Sequence, residues 1–154
     1  MAAYEWKTKN LFKVKADVAG KVFEDLESSI GLTAENVVNI SRSDDAPLHN
    51  EFEWNNDVAA EEWRKEQAAN MIRNIAIVCA EVEESGTAKT VRAFYATELH
   101  HYENIKAIIT NEEKKDDLLK RAINELNAFK KKYILLSELS TVFAAIDNVT
   151  KEVV

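Results

Sequence analysis

The chain has 154 residues, of which 46% are apolar and 31% charged, with only three glycines and one proline. That composition supports one domain with a real core, and it argues against disorder and against a turn-rich all-β sandwich. A net charge of −7 argues against a general DNA-coating protein, which needs a net cationic face to release counterions from phosphate.

The charge is unevenly spread. Residues 1–23 carry five lysines against two acids (+3), residues 24–86 four bases against fifteen acids (−11), and residues 87–154 eleven bases against ten acids (+1). An acidic middle thus separates a basic arm from a balanced C-terminal part. The single cysteine, Cys79, rules out an intrachain disulfide and fits a reducing compartment. It sits in the apolar run Ile75 to Ala80, where a small buried hydrophobe is expected. Met1 to Glu5 contain neither a basic n-region nor an apolar h-region, and no apolar run approaches the ~18 residues of a membrane span. A cytoplasmic location is the expectation.

In chain order, Phe12 and Val14 alternate with Lys13 and Lys15, the pattern of a half-buried edge strand guarded by lysines. The same arm, with Trp6 and Tyr4 beside Lys7 and Lys9, could also stack on nucleic-acid bases. Asp17 is placed to cap a helix carrying Val18, Val22, Phe23, Leu26 and Ile30 on one face. Gly31 ends it, and Thr33 caps a short helix with Val37, Val38 and Ile40 inward. Helix, glycine turn and helix resemble a helix-turn-helix in outline. Yet Glu27 stands where that motif wants a small residue, and the second helix offers Glu35, Asn36 and Asn39 with no base until Arg42, so an ordinary helical hairpin is expected.

A loop around the only proline, Pro47, leads to Phe52 and Trp54 among Glu51, Glu53 and Asp57. Asn56 or Asp57 would cap the next helix, whose inner face is expected at Ala60, Trp63, Gln67, Met71, Ile72 and Ile75. The two loop aromatics read as a plug packed on this helix, or else as an acidic-aromatic docking surface. Ile75 to Val82, a turn at Glu83 to Thr87, and the alternating Thr90 to Thr97 read as a β-hairpin. Tyr102 to Ile109 stays open between strand and helix.

From Thr110 to Asp147 the apolar residues Leu119, Ala122, Leu126, Phe129, Tyr133, Leu136, Leu139, Phe143 and Ile146 recur at steps of three and four, one stripe of a helix. Thr110 or Asn111 would cap it, with Glu112 and Glu113 at the positive end of its dipole. One unbroken helix would run roughly 50 Å, longer than the ~40 Å diameter of a compact domain of this size. It must bend, near Ser137 or Ser140 where the spacing slips, or project and find a partner helix. A homodimer through Leu126, Phe129, Tyr133 and Leu136 is the expectation.

The fold expected is therefore α+β and mainly helical: N-terminal helices, a small antiparallel hairpin or sheet, and one long C-terminal amphipathic helix. It is read as one domain, with a basic strand or arm at 1–16, an acidic helical part at 17–74, a β-hairpin region at 75–109 and the long helix at 110–147.

The loop Ala46-Pro47-Leu48-His49, the segment Phe52-Glu53-Trp54, the helix with Ala59-Ala60, Arg64, Gln67-Ala68 and Ile72-Arg73, then Arg92-Ala93-Phe94 and the Leu-rich C-terminal stretch together resemble a family of small uncharacterised proteins encoded by tailed bacteriophages and prophages. The resemblance spans nearly the whole chain. It implies an origin and carries over no activity and no site residues.

No chemistry-bearing motif stands out. Gly20, Gly31 and Gly86 are isolated and form no phosphate loop, and no Gly-x-Ser-x-Gly turn is present. Glu98, His100, His101 and Glu103, and the looser set Asp44, Asp45, His49 and Glu51, lack metal-ligand spacing. Neither an enzyme, a cofactor nor a metal is expected. Two readings remain. In the first, a phage-encoded binding protein engages a host or phage protein, with inhibition of a host defence as one role, through Glu51, Phe52, Glu53, Trp54, Asp57, Glu61 and Glu62. In the second, a nucleic-acid-binding accessory protein uses Lys7, Lys9, Lys13, Lys15 and Lys130, Lys131, Lys132.

Overall fold

The structure, a computed structural model, describes residues 3–55, 58–82, 88–98 and 100–153. It is α+β and mainly helical. The expected caps Asn56 and Asp57 and the expected turn Glu83 to Thr87 lie outside the described residues. Two compact units divide what the sequence suggests is one domain, residues 1–107 and residues 108–154.

The first unit is organised around the junction of α3, Val58–Asn74, with β2, Ile75–Val82, where the chain passes from helix to strand without a loop. Ile75, Ile77 and Val78 favour the strand through their β-branched side chains. β2 is the middle strand, flanked antiparallel by β1, Ala3–Trp6, and β3, Ala88–Arg92, with Tyr4 opposite Ile77 and Ile77 opposite Val91. The edge strand thus forms from residues 3–6, earlier than the Phe12 to Lys15 alternation suggests. Those later residues are loop, closed by the Trp6–Phe12 ring contact at 4.4 Å and by Trp6 Nε1 donating to the Val14 carbonyl at 2.8 Å.

The expected strand Thr90 to Thr97 divides at buried Ala93, whose N–H donates to Ile75 O and whose carbonyl accepts from Ile105 N–H. Beyond it, β4, Phe94–Glu98, pairs antiparallel with β5, His101–Asn104. The Tyr102 to Ile109 segment is both of its alternatives in turn, β5 and then α4, Ile105–Thr110.

α1, Ala16–Ser28, and α2, Ala34–Ile40, complete the unit. Thr33 caps α2 as expected, accepting from Asn36 N–H at 3.0 Å. Helix α1 ends at Ser28, before Gly31 turns the chain at φ +98°, so Ile30 lies beyond the helix at 63% exposure, and Val18 is 40% exposed rather than on the inner face. Asp17 does not cap α1. Lys15 holds the N-cap position, and the Asp17 carboxylate instead accepts from Tyr4 N–H at 2.8 Å, tying β1 to the first turn of the helix. Tyr4 lies against Gly20 so closely that a Cβ there would sit 2.1 Å from the ring. Phe23, Leu32, Val37, Val38, Leu48, Ile72 and Phe94 form the centre of the core. Cys79 is half-buried rather than buried.

The second unit is a helical hairpin. α5, Glu112–Tyr133, is capped by Asn111, whose side chain accepts from Lys114 N–H at 3.1 Å. It stops at Ile134 to Leu136, and after a 3-10 turn at Ser137–Leu139 the chain resumes as α6, Ser140–Val153. The one long helix expected over 110–147 is thus two, with the break just ahead of the slip in spacing. Lys130 Nζ pairs with Asp147 at 2.5 Å and Asn127 Nδ2 donates to Thr150 Oγ1 at 3.0 Å. Because one partner falls in number as the other rises, α5 and α6 run antiparallel. Folding back lets Ile123, Phe143 and Ile146 be buried, which a straight helix leaves in water, and that gain outweighs the lost turn of hydrogen bonds.

Candidate protein-binding surface

The loop from Ser41 to Asn55 is pinned from both ends. Ser41 is buried, its Oγ donating to Val37 O at 2.6 Å, and its carbonyl lies 2.9 Å from His49 Nδ1. The imidazole of His49 stacks on Trp54 at 5.0 Å, and Trp54 Nε1 donates to the His49 carbonyl at 2.8 Å. Leu48 and Phe52 are buried below.

From α3, Arg64 closes the cluster. Its guanidinium lies 5.0 Å from the Trp54 ring centre, donates to the carbonyls of Glu53 and of Asn55, and bonds Glu61 Oε2 at 3.0 Å. Arg64 is only 3% exposed, a buried charge made tolerable because its donors are met on every side. Glu61 also accepts from Arg42 at 2.6 Å. Burial works to raise the Glu61 carboxyl, but the Arg64 hydrogen bond and the Arg42 charge outweigh it and hold it below the usual carboxylate range.

These contacts sort the first set of expected binding residues. Phe52 and Trp54 are the plug, not a free docking pair. Glu61 is committed to two arginines, and half-buried Glu51 accepts from Val14 N–H at 2.7 Å. Glu53 and Glu62 remain on the surface, Glu62 in an exposed pair with Lys65. Asp57 lies outside the described residues.

The inner face of α3 is also rotated from its expected place. Arg64, Ala68, Met71 and Ile72 face inward, whereas Trp63 is 59% exposed. The loop carbonyls need a donor from α3, and Arg64 supplies it, which turns the neighbouring Trp63 outward at ~100° per residue. No periodicity rule puts an arginine in a core, so Trp63 was not legible as a surface residue. It lines a groove of about 510 Å³ together with Leu11, Phe12, Lys13, Glu51, Glu66, Gln67, Asn70 and Met71. Leu11 is itself 45% exposed, and Gln67 Oε1 is buried with no hydrogen-bond partner.

A second, more polar groove of about 700 Å³ is lined by Thr33, Glu35, Glu62, Lys65, Glu66, Arg73, His100 and Tyr102 among others. Glu66 lines both grooves, so the outer face of α3 forms the ridge between them. An exposed tryptophan is a side chain rich in binding energy, and here it is flanked by Glu62 and Glu66, each ion-paired with a base, Lys65 and Arg73.

The basic residues divide. Lys7, Lys9, Lys13 and Lys15 are all exposed on and after the end of β1. Partial burial, and next the nearby Arg92 charge, push the Lys7 ammonium below its ordinary value. Lys130 is held by Asp147, Lys132 lies 5.2 Å from the Tyr133 ring centre, and Lys131 is exposed. Of the expected oligomer residues, Leu126, Phe129 and Leu136 are 41%, 40% and 48% exposed and Tyr133 is partly covered.

Among the described residues no group of three or more His, Cys, Asp or Glu side chains is arranged to hold a metal ion, and no helix is long and apolar enough to cross a membrane. Comparison with protein-family models, with curated proteins and with solved structures finds nothing that matches the chain.

Proposed function

We propose that the protein is a non-enzymatic binding protein whose outer α3 face engages another protein. The observation that carries this reading is Trp63, 59% exposed in the lining of a groove it shares with Leu11. Water gains nothing from a tryptophan there, whereas a partner that covers it would bury about 150 to 250 Å² of ring. Glu62 and Glu66, each in an exposed pair with a neighbouring base, contribute little to the fold and are free to exchange those bases for a partner's. The partner chemistry that fits is an apolar side chain beside cationic ones.

The resemblance to small phage and prophage proteins supports a host or phage protein as the partner and the host cytoplasm as the place. An acidic face can also occupy a surface meant for nucleic acid, which makes inhibition of a host defence one role it would suit. The test is a pull-down from nuclease-treated host lysate. Glu62→Lys with Glu66→Lys should lose a protein that the parent retains. If the reversed pair retains it equally, these two glutamates are not the contact.

A second reading rests on the four exposed lysines of residues 7–15 and the proximity of Lys7 to Arg92. Phosphate would relieve that like-charge pair, and binding would then fall steeply with salt. A mobility-shift titration at low salt decides it: no shift at ~50 μM protein, within the usual range of non-specific affinity, removes this alternative.

A further inference from the structure

We infer that the C-terminal hairpin is a dimerisation unit whose open apolar face is covered by the same face of a second copy of this chain. In the seam between α5 and α6 lie Ile123, Asn127 and Lys130 on one side and Phe143, Ile146, Asp147 and Thr150 on the other. Beside it each helix carries a second stripe that the hairpin itself leaves partly exposed. On α5 these are Leu119, Leu126 and Phe129, at 38%, 41% and 40% exposure, and on α6 Val142 and Val149, at 46% and 38%.

Helical geometry puts the two stripes on one side of the hairpin. At ~100° per residue, each stripe is displaced from its own seam in the same rotational sense, by roughly a quarter to a third of a turn. In antiparallel helices equal displacements of that kind point the same way. The result is a flat two-helix layer with one apolar face, half of a four-helix bundle.

A second copy is the occupant that the residues favour. With Ile134, Leu135 and Leu136 at the hairpin tip, Leu135 at 94%, these side chains expose apolar surface on the order of several hundred Å², at the upper end of what monomers expose. Doubled by two-fold symmetry it approaches the area of a specific interface. The charges agree with an antiparallel crossing of the two α5 helices. The first turn carries Glu112 and Glu113 and the last turn Lys130, Lys131 and Lys132, so end-to-end overlap brings an acidic helix end near a basic one. Of these only Glu112 and Lys132 flank the stripe, since Glu113 and Lys131 lie on the far side of the helix and Lys130 is held by Asp147. The same overlap puts Leu119 opposite Leu126 of the second copy and brings the two Ala122 positions together near the two-fold axis.

Sedimentation equilibrium on the full chain tests this. From 1 to 100 μM the parent should approach twice its 17.5 kDa mass, and Leu126→Glu with Phe129→Glu should stay at the single-chain mass with an unchanged far-UV spectrum. Should that variant unfold, a second one keeps the inference testable. With Cys79→Ser in place, Ala122→Cys should give a disulfide-linked dimer on mild oxidation with oxidised glutathione. A parent that is monomeric at 100 μM overturns the inference. So does a folded Leu126→Glu, Phe129→Glu variant that still dimerises, or an Ala122→Cys chain that stays unlinked.

Discussion

Arg64 and Trp54 hold the fold through buried contacts, whereas Trp63, next to Arg64 in sequence, stands 59% exposed. Truncating Arg64 to Ala strands the carbonyls of Glu53 and Asn55 and uncovers Trp54. Glu61 keeps Arg42 as partner, so the loss comes from two carbonyls left without a donor, at about 1 to 3 kcal/mol for a buried group, and urea unfolding should show a loss of that order. Trp54→Ala should cost about 3 kcal/mol, at the low end for aromatic truncations because the ring is only half-buried. Tyr4 sets the alkaline limit. Burial, followed by the Glu24 carboxylate that its hydroxyl meets at 2.5 Å, raises its pKa well above the ordinary tyrosine value of 10.0. A raised folded value means a contribution fully present below pH 10.0 and lost as pH rises from there towards the folded value. Stability should therefore begin to fall above about pH 10. In Tyr4→Phe, which has no proton to lose, the slope between pH 10 and 11 should be shallower, and an equal slope would mean that another group is responsible. The plug of Phe52 and Trp54 was legible in the sequence because two large aromatics between acids gain little in water. Arg64 as their anchor was not, because its partners are backbone carbonyls of a distant loop, which no side-chain pattern encodes.

At the scale of elements, the clearest case is Gly20 within α1. Helix propensity alone says that Gly→Ala should stabilise by up to about 1 kcal/mol. Here a Cβ would meet the Tyr4 ring at 2.1 Å, so Gly20→Ala should instead destabilise by about 1 to 3 kcal/mol, as overpacking does. A thermal melt reads the sign directly, and a stabilised variant would mean that β1 does not lie where it is described. Two helix starts were announced, since Thr33 and Asn111 cap α2 and α5 as their chemistry implies, whereas Asp17 is drawn from the start of α1 to Tyr4 and α1 ends at Ser28, before Gly31. Two features were hidden and a third was only one of two alternatives, because tertiary contacts set all three. β1 forms at Ala3–Trp6 because Asp17 and Gly20 receive Tyr4. The strand from Thr90 divides because Ala93 bonds to Ile75 and Ile105. The C-terminal stripe breaks at Ile134 to Leu136, without glycine or proline, because its two halves bury each other.

For the whole molecule, the two units make separate claims. The hairpin of residues 108–154 has a small core and a wide apolar face, so its stability should be tied to association and its melting should move upward with protein concentration. Circular dichroism melts at 5 and 100 μM check this, and a transition independent of concentration would speak against a dimer. The unit of residues 1–107 holds the α3 ridge, and the central claim is that this ridge, through Trp63, is where another protein binds. The most direct measurement is the amount of partner retained from nuclease-treated host lysate by Trp63→Ala relative to the parent chain. Surface truncations of this kind change stability little, so the variant should melt within about 2 °C of the parent and should lose the partner. A Trp63→Ala chain that is equally stable and retains the partner undiminished would contradict the account.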